Sequence, residues 1–126
     1  MARERGVSVS SLVNRIVDEA IRMEDHPGIF FRNGPAGRRA VLIGGPDVWE
    51  VIRAVKNVKA AQPDLDPDAL LDAVEQGTGV PRSQISVAIG YWSAYPAEID
   101  DWIAAADEEE RAAYERWQRE RDLLAS

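Results

Sequence analysis

The chain of 126 residues contains no cysteine and only one histidine, His26. Without cysteine there are no disulfides, thiolate nucleophiles or cysteine zinc sites. A catalytic Ser-His-Asp triad would have to include His26, and no apolar run approaches the roughly 20 residues that span a bilayer. The N-terminus also lacks the apolar segment of a signal peptide. We therefore expect a cytoplasmic, non-redox protein that binds no cofactor, metal ion or membrane.

The sequence carries no signature of an enzyme. It has no glycine-rich phosphate-binding loop and no second histidine for acid–base catalysis. The neighbouring carboxylates at 100–101 and 108–110 point in different directions on a helix, so they indicate a solvated face rather than a catalytic pair or a metal site. We expect no enzymatic activity.

The net charge of −7 is unevenly distributed along the chain. Residues 1–60 carry a balance of +3 (ten basic and seven acidic side chains), residues 61–97 one of −4 (one and five), and residues 98–126 one of −6 (four and ten). The overall charge argues against binding nucleic acid by bulk attraction. Any nucleic-acid contact is expected near the N-terminus, and the acidic second half is more typical of a solvated helix or a protein-binding surface.

Hydrophobic periodicity and turn residues predict a mainly α fold with a small β-hairpin. Ser8 is the expected N-cap of a first helix that ends near Met23. Two short strands, 28–32 and 38–43, flank a predicted five-residue turn at 33–37. A lone hairpin is marginally stable in water, so it has to pack on helices.

Proline, aspartate and glycine mark the helices that follow the hairpin. The first of these helices is expected to begin near Pro46, and the second to extend from Asp66 to Gly77. The third is expected to begin at Pro81 and the last at Ala97, after a break at 95–96. Asp107 is expected to recap or bend this last helix. These elements predict a helix-turn-helix-like three-helix bundle plus an extended C-terminal helix, with an N-terminal helix in residues 1–25, the hairpin and bundle in 26–104 and a charged helical arm in 105–126.

The first predicted helix carries one apolar stripe. Its residues recur at helical spacing and are Leu12, Val13, Ile16, Val17, Ala20 and Ile21. In one interpretation the stripe packs on the core of its own chain. The helix is also very apolar for its exposure, which is consistent with dimerisation.

Residues 5–13 (RGVSVSSLV) resemble the inter-helix turn and second helix of ribbon–helix–helix antitoxins and repressors. The resemblance implies that Gly6 ends one helix, that Ser8 caps the next, and that the N–H groups at its N-terminus bind a DNA phosphate. It makes Arg5, Ser8 and Ser10 candidate DNA-binding residues. In that family a base-reading strand precedes the first helix, but only five residues precede the turn here, so either the chain is truncated or the motif is a remnant without its strand.

Residues 67–94 form a second candidate DNA-binding unit. Two predicted helices flank the short turn 77–80, and this length and glycine placement suit a helix-turn-helix. The second helix presents side chains that contact phosphates or bases in such units, namely Arg82, Ser83, Gln84 and Ser86. The alternative is a helical hairpin used only for packing, which agrees with the acidic balance of this region.

Four further segments resemble one bacterial family, the domain of unknown function found in VapB-like antitoxins and in small proteins encoded beside PIN-domain toxins. They are residues 26–32 (HPGIFFR), 37–40 (GRRA), 45–52 (GPDVWEVI) and 91–100 (YWSAYPAEID). The resemblance implies a hairpin before a helix-turn-helix-like bundle, a role as antitoxin or regulator, a PIN-domain toxin as partner and a symmetric homodimer. Residues 45–47 (GPD) stand where the family has Gly-Thr-Arg.

The C-terminal segment has the pattern of a partner-binding helix. Residues at steps of three and four share one face: Ile99, Trp102, Ile103, Ala106, Ala113, Trp117 and Leu124. Trp102 and Ile103 alternatively complete the core of the bundle. Two ion pairs at i,i+4 spacing are predicted on this helix, Asp107–Arg111 and Glu115–Arg119.

The resemblance implies that the C-terminal segment wraps over the toxin, in some cases with an arginine among the toxin's metal-binding carboxylates. The candidate partner-binding residues are Trp102, Tyr114, Arg116, Trp117, Arg119 and Leu124. We therefore expect the antitoxin of a type II toxin–antitoxin pair that neutralises a PIN-type ribonuclease by steric occlusion and autoregulates its operon by binding operator DNA. The alternatives are a DNA-binding transcriptional regulator without a toxin partner and a dimeric scaffold with neither activity.

Overall fold

The computed structural model describes residues 8–125 of the chain. Five helices and one antiparallel hairpin follow each other in the order α1 (Val9–Asp25), β1 (Ile29–Gly34), β2 (Gly37–Leu42), α2 (Val48–Ala61), α3 (Pro67–Thr78), α4 (Arg82–Ala94) and α5 (Pro96–Ala125). The predicted fold class, mainly α with a small β-hairpin, is confirmed. No helix within residues 8–125 has the length and apolar character needed to cross a membrane.

The starts of α1 and α3 follow from their capping residues, as predicted. The Ser8 side chain accepts a hydrogen bond from the N–H of Ser11 at 3.1 Å, and the Asp66 side chain accepts one from the N–H of Ala69 at 2.8 Å. Pro67 occupies the first turn of α3, where its missing N–H costs no intrahelical hydrogen bond. Local side-chain chemistry thus fixes where both helices begin.

α3 ends later than predicted, because the chain leaves the helix at Gly79 and not at Gly77. Gly79 has a φ of 74°, a left-handed conformation that glycine adopts without steric cost. Thr78 belongs to the last turn, and its Oγ1 donates a hydrogen bond to the carbonyl oxygen of Val74 at 2.7 Å. The turn between α3 and α4 is therefore limited to residues 79–81.

The predicted five-residue turn of the hairpin is wrong, because the strands pair as far as Gly34 and Gly37. Only Pro35 and Ala36 connect them. Gly37 has a φ of 131°, and a Cβ atom there would lie 3.5 Å from the ring of Trp102. The positive φ therefore favours glycine at this position, whereas the approach of α5 would leave room for a Cβ atom.

A buried carboxylate ties the hairpin to the start of α2. Asp47 is the N-cap of α2 and exposes only 5% of its surface. Its carboxylate accepts hydrogen bonds from the guanidinium of Arg39 and, at 3.1 Å, from Nε1 of Trp49. The guanidinium of Arg32 lies 3.6 Å away. These partners balance the charge that burial would otherwise leave uncompensated.

The hydrophobic core lies between the inner face of the hairpin and helices α2 to α5. The apolar residues and tyrosine that expose no more than 3% of their surface are Ile29, Ala40, Leu42, Val48, Val51, Ile52, Val74, Ile85, Ala88, Tyr91 and Ile99. Burying one large aliphatic side chain contributes about 1.5–3 kcal/mol. None of these core residues belongs to α1.

α1 docks on the domain through its charged face. Its one buried residue is Glu19, whose carboxylate accepts two hydrogen bonds from the guanidinium of Arg38. Arg22 donates hydrogen bonds to Oη of Tyr91 at 2.8 Å and to Oε1 of Glu98 at 2.7 Å. Three elements, β2, α4 and α5, therefore hold α1 by polar contacts.

The apolar stripe of α1 faces solvent as a consequence. Val9, Val13, Ile16, Val17 and Ile21 expose between 51% and 67% of their surface. The interpretation in which this stripe packs on the core of its own chain is therefore wrong. The polar contacts of α1 decide its orientation, although hydrophobicity alone would turn the apolar stripe towards the core.

Tyr91 is the centre of the contact between α1, α4 and α5. Its Oη donates a hydrogen bond to Oε2 of Glu98 at 2.7 Å and accepts the one from Arg22. Burial and the bond to Glu98 raise the pKa of Tyr91 above its usual 10.0, against the opposing effect of Arg22. Burial alone would lower the pKa of Arg22, but its hydrogen bonds to Glu98 and Tyr91 outweigh this and raise it.

α5 is one continuous helix of 30 residues. The predicted recap or bend at Asp107 is wrong, because the Asp107 carboxylate binds Arg53 of α2 at 3.3 Å instead of capping a new helix. The expected boundary between bundle and arm, at residues 104–105, lies within this uninterrupted helix.

We expect the Glu19→Ala variant to loosen α1 from the domain. The variant leaves the partly buried guanidinium of Arg38 without its carboxylate, at a cost of about 1–3 kcal/mol. Hydrogen–deuterium exchange will show faster exchange of the α1 amides. The Asp25→Ala variant removes an exposed carboxylate from the same helix, away from the apolar stripe, and should leave exchange unchanged. Equal exchange in the two variants would contradict this mode of docking.

Candidate partner-binding site

The first half of α5 is embedded in the domain. Ile99 and Ile103 expose 1% and 9% of their surface and belong to the core. Trp102 is half-buried, with its ring against the hairpin turn at Gly37. The alternative in which Ile103 completes the core is therefore confirmed, and Trp102 is shared between the hairpin contact and the surface.

Ion pairs fix the same half of α5 to its neighbours. The Asp100 carboxylate accepts hydrogen bonds from Nζ of Lys56 at 2.8 Å and from Nε1 of Trp92 at 2.9 Å. These two bonds hold the pKa of Asp100 below its usual value. Arg53 of α2 donates to Glu110 at 2.9 Å, one turn beyond Asp107. The helix is thus anchored as far as Glu110.

Residues 111–125 form the distal half of α5, which we call the arm. At a rise of 1.5 Å per residue the arm is about 22 Å long. Tyr114 and Trp117 stack on each other with ring centroids 5.7 Å apart and an interplanar angle of 29°. They remain 57% and 49% exposed. Two neighbouring aromatic rings are therefore presented on the surface of a helix.

Leu124 extends this aromatic surface towards the end of the arm. It lies seven residues after Trp117, which places both side chains on nearly the same helical face, and it is 86% exposed. The guanidinium of Arg121 lies 5.0 Å from the centre of the Trp117 ring on the same face. Trp117 in turn lies on the helical face that buries Ile99 and Ile103, with Glu110, the partner of Arg53, between them.

The ion pairs of the arm differ from the predicted ones. Arg111 binds Glu108 and Glu115, whereas the sequence spacing predicted a pair with Asp107. Asp107 is occupied by Arg53, and Glu115 pairs with Arg111 rather than with the predicted Arg119. The predicted Asp107–Arg111 and Glu115–Arg119 pairs are therefore wrong. Arg111 lowers the pKa of the Glu108 carboxylate.

The two candidate arginines of the arm are exposed. Arg116 and Arg119 have no ion-pair partner among the described residues. At about 100° per residue, Arg116 lies to one side of Trp117 and Arg119 lies on the far side of the helix. Of the predicted partner-binding residues, the structure brings together Tyr114, Trp117 and Leu124, but places Arg119 on another face.

A groove at the base of the arm was missed at the level of sequence. It has a volume of about 480 Å³ and lies between the hairpin turn, the start of α2 and α5. Its lining includes Pro35, Arg39, Trp49, Trp102 and Glu109. No sequence pattern indicates the groove, because three distant segments assemble it. On α5 the groove is lined by Trp102, Ala105, Ala106 and Glu109, which lie on average roughly 70° around the helix from Trp117.

The candidate DNA-binding residues near the N-terminus lie on the cap of α1. The Ser8 side chain is occupied as N-cap and also donates a hydrogen bond to Oγ of Ser11 at 2.8 Å. Ser10 is exposed, with its Oγ 3.3 Å from that of Ser8. Arg5 lies outside the described residues.

The remaining DNA-binding candidates lie at the start of α4, on a different element. Arg82 is paired with Asp68 and Asp72 of α3, and its N–H donates to the Glu75 carboxylate at 3.0 Å. The Gln84 side chain donates to the carbonyl oxygen of Ile43 at 3.0 Å. Ser83 and Ser86 are exposed. The only basic side chain of the group thus already has carboxylate partners.

Comparison of the chain with protein-family models, curated proteins and solved structures finds no match. Within residues 8–125, no group of three or more histidine, aspartate or glutamate side chains is arranged to hold a metal ion. The groove and the exposed, stacked rings of the arm make this part of the molecule the candidate functional site.

We expect the Arg111→Ala variant to weaken the arm as a helix. The substitution removes both ion pairs that link successive turns there, to Glu108 and Glu115. Amides of residues 111–125 will exchange hydrogen severalfold faster than in the unmodified chain. Arg119→Ala, the same substitution at an unpaired position of the same helix, is the matched control. Identical exchange in both variants would show that the Arg111 pairs do not support the arm.

Proposed function

We propose that this protein is the antitoxin of a type II toxin–antitoxin pair, and that it neutralises a PIN-type ribonuclease by covering it with the arm and the adjoining groove. The observation that carries the proposal is the arm itself. A helix anchored in the core presents the stacked, half-exposed rings of Tyr114 and Trp117. We place the complex in the cytoplasm, where such a toxin meets its RNA.

Stacked aromatic side chains on a regular helix are strong anchors for a protein partner. Tryptophan and tyrosine dominate the energetics of many interfaces. The mutual stacking of Tyr114 and Trp117 already restricts their rotation, which lowers the entropy lost when a partner covers them. Leu124, on the same face, adds apolar area at the end of the arm.

The charge at the base of the arm suits an RNA-binding partner. Residues 107–110 are four consecutive acidic residues, and their side chains are exposed. A protein that binds RNA holds its phosphates with basic side chains. Arg53 and Arg111 already bind three of the four carboxylates, but residues 98–126 still carry a balance of −6 (four basic and ten acidic side chains). This acidic excess next to the aromatic anchors is complementary to a basic surface and would disfavour RNA there.

Arg116 and Arg119 supply a further contact. The resemblance to VapB-like antitoxins implies that an arginine enters the metal-binding carboxylates of the toxin. Both side chains are available for this, since neither has an ion-pair partner among the described residues. Because Arg119 lies on the far side of the helix from Trp117, a toxin that contacts both has to surround the arm.

DNA binding through α4 is not part of the proposal. A phosphate approaching Arg82 would have to displace Asp68 and Asp72 and would meet an acidic helix. These ion pairs give no support to a transcriptional regulator that recognises DNA through α4. An autoregulatory contact would have to use the N-terminus of α1, where Ser8 and Ser10 lie.

Removal of residues 107–126 is expected to abolish protection from the toxin. The test is co-expression in bacteria with the PIN-domain ribonuclease encoded beside this gene, with growth as the measurement. The full chain should restore growth, and the truncated chain should not, because the aromatic anchors, the acidic segment and both arginines are lost. Full protection by the truncated chain, or the absence of a ribonuclease gene beside this one, would contradict the proposal.

The Trp117→Ala variant separates loss of binding from loss of fold. Trp117 is 49% exposed and outside the core, so we expect unchanged unfolding by urea. Calorimetric titration with the toxin should show affinity lower by about 30-fold or more, the equivalent of about 2 kcal/mol for an aromatic hot spot. Glu120→Ala, at a neighbouring exposed position of the arm, is the control and should change affinity by less than about threefold. Equal affinities of the two variants would remove the aromatic anchor from the proposal.

A further inference from the structure

We propose that the apolar stripe of α1 is the interface through which two copies of this chain associate, with the two α1 helices antiparallel. The stripe consists of Val9, Val13, Ile16, Val17 and Ile21. Each of these side chains is at least half exposed, from 51% for Val13 to 67% for Val9. This surface is separate from the groove and the arm, so the inference goes beyond the proposed function.

The orientation of the stripe is fixed by the contacts on the other side of α1. At about 100° per residue, the stripe is centred more than a quarter-turn from Glu19 and nearly opposite Arg22. Turning it inwards would break the pair of Glu19 with Arg38 and the bonds of Arg22 to Tyr91 and Glu98. The domain therefore holds α1 with its apolar side outward.

The size of the stripe fits a small dimer interface. α1 has 17 residues and is about 25 Å long. Its five half-exposed aliphatic side chains form a patch of roughly 400 Å², the size of the largest apolar patch on a typical monomer, which is often functional. A standard interface covers about 800 Å² on each partner. Pairing through α1 alone should thus give a dimer that dissociates in the micromolar range.

The charges of α1 fit a second copy of the same helix. Within the stripe the intervening positions Ser10, Asn14 and Ala20 are uncharged, so two stripes meet without repulsion. Within the described residues the first turn of α1 contains no acidic residue, so the positive end of the helix dipole can interact with a negative charge of a partner. Glu24 lies at the other end, on the same side of the helix as the stripe.

The position of Glu24 selects the antiparallel arrangement. In an antiparallel pair, Glu24 of each copy approaches the N-terminus of the other α1, where a negative charge is stabilising. In a parallel pair the two Glu24 carboxylates would face each other. α1 carries four acidic side chains and two arginines, which makes an anionic membrane surface a poorer occupant of the stripe.

Sedimentation velocity of the full chain, purified alone, tests the proposal over about 1–100 µM, the range in which an interface of this size dissociates. The unmodified chain should reach twice its mass of 14.0 kDa. The Ile16→Asp variant should remain a monomer at every concentration, with an unchanged circular dichroism spectrum. Leu123→Asp is the matched control, because Leu123 is 78% exposed at the end of α5, and it should still dimerise. A monomeric unmodified chain, or a dimeric Ile16→Asp chain, would overturn the proposal.

Single cysteines test the direction of pairing, since the chain has none of its own. Ile16 lies near the middle of the stripe and therefore near the expected twofold axis. Under mild oxidation the Ile16→Cys variant should form a disulfide-linked dimer, whereas Val9→Cys alone should not, because Val9 faces Ile21 of the other copy. Cross-linking of Val9→Cys, or none at Ile16→Cys, would overturn the antiparallel arrangement.

The dimer and the antitoxin activity can fail independently. Ile16→Asp should retain protection from the toxin, and Trp117→Ala should retain the dimer. If the unmodified chain is a monomer and Ile16→Asp abolishes protection, the stripe binds the toxin and the second copy is ruled out as its occupant.

Discussion

The contact on which the rest of the structure depends is the hydrogen-bonded network of Arg22, Tyr91 and Glu98. It joins α1, α4 and α5 at a point where the tyrosine ring is completely buried. Nε of Arg22 is buried without a hydrogen bond but lies 3.0 Å from the Asp18 carboxylate, so the charge of each member is compensated, as a buried polar network requires. It therefore fixes one arrangement of three helices, and with it the direction in which α1 presents its apolar side and the direction in which α5 leaves the domain.

Much of the fold could be predicted because its signals are local. The cap at Ser8, the Asp66-Pro67 start of α3 and the hairpin all follow from neighbouring residues. The orientation of α1 could not be predicted, since periodicity identifies an apolar stripe but does not tell which side of a helix meets the domain. That choice depends on Arg38, Tyr91 and Glu98, which are distant in sequence.

The candidate site likewise combines features that could be predicted from the sequence with features that could not. The repeating apolar positions of α5 and its aromatic residues were visible in the sequence, and the structure places Tyr114, Trp117 and Leu124 on a common surface. The ion pairs were not predictable, because Arg53 competes for Asp107 from another helix. For Arg82 the acidic balance of its region already argued against a free phosphate-binding side chain, and the carboxylates of α3 give the physical reason.

Because α5 continues without interruption from the core into the arm, the angular position of the arm's side chains around the helix axis is fixed relative to the domain. A bound partner would depend on this angle. Each residue inserted between Glu110 and Tyr114 would advance the arm by about 1.5 Å and rotate Trp117 by about 100° around the axis. Seven inserted residues return the ring almost to its starting azimuth at a greater distance, whereas two turn it to the far side. The fixed base of α5 therefore preserves the angle of Trp117 relative to the groove rather than the distance to which the arm extends.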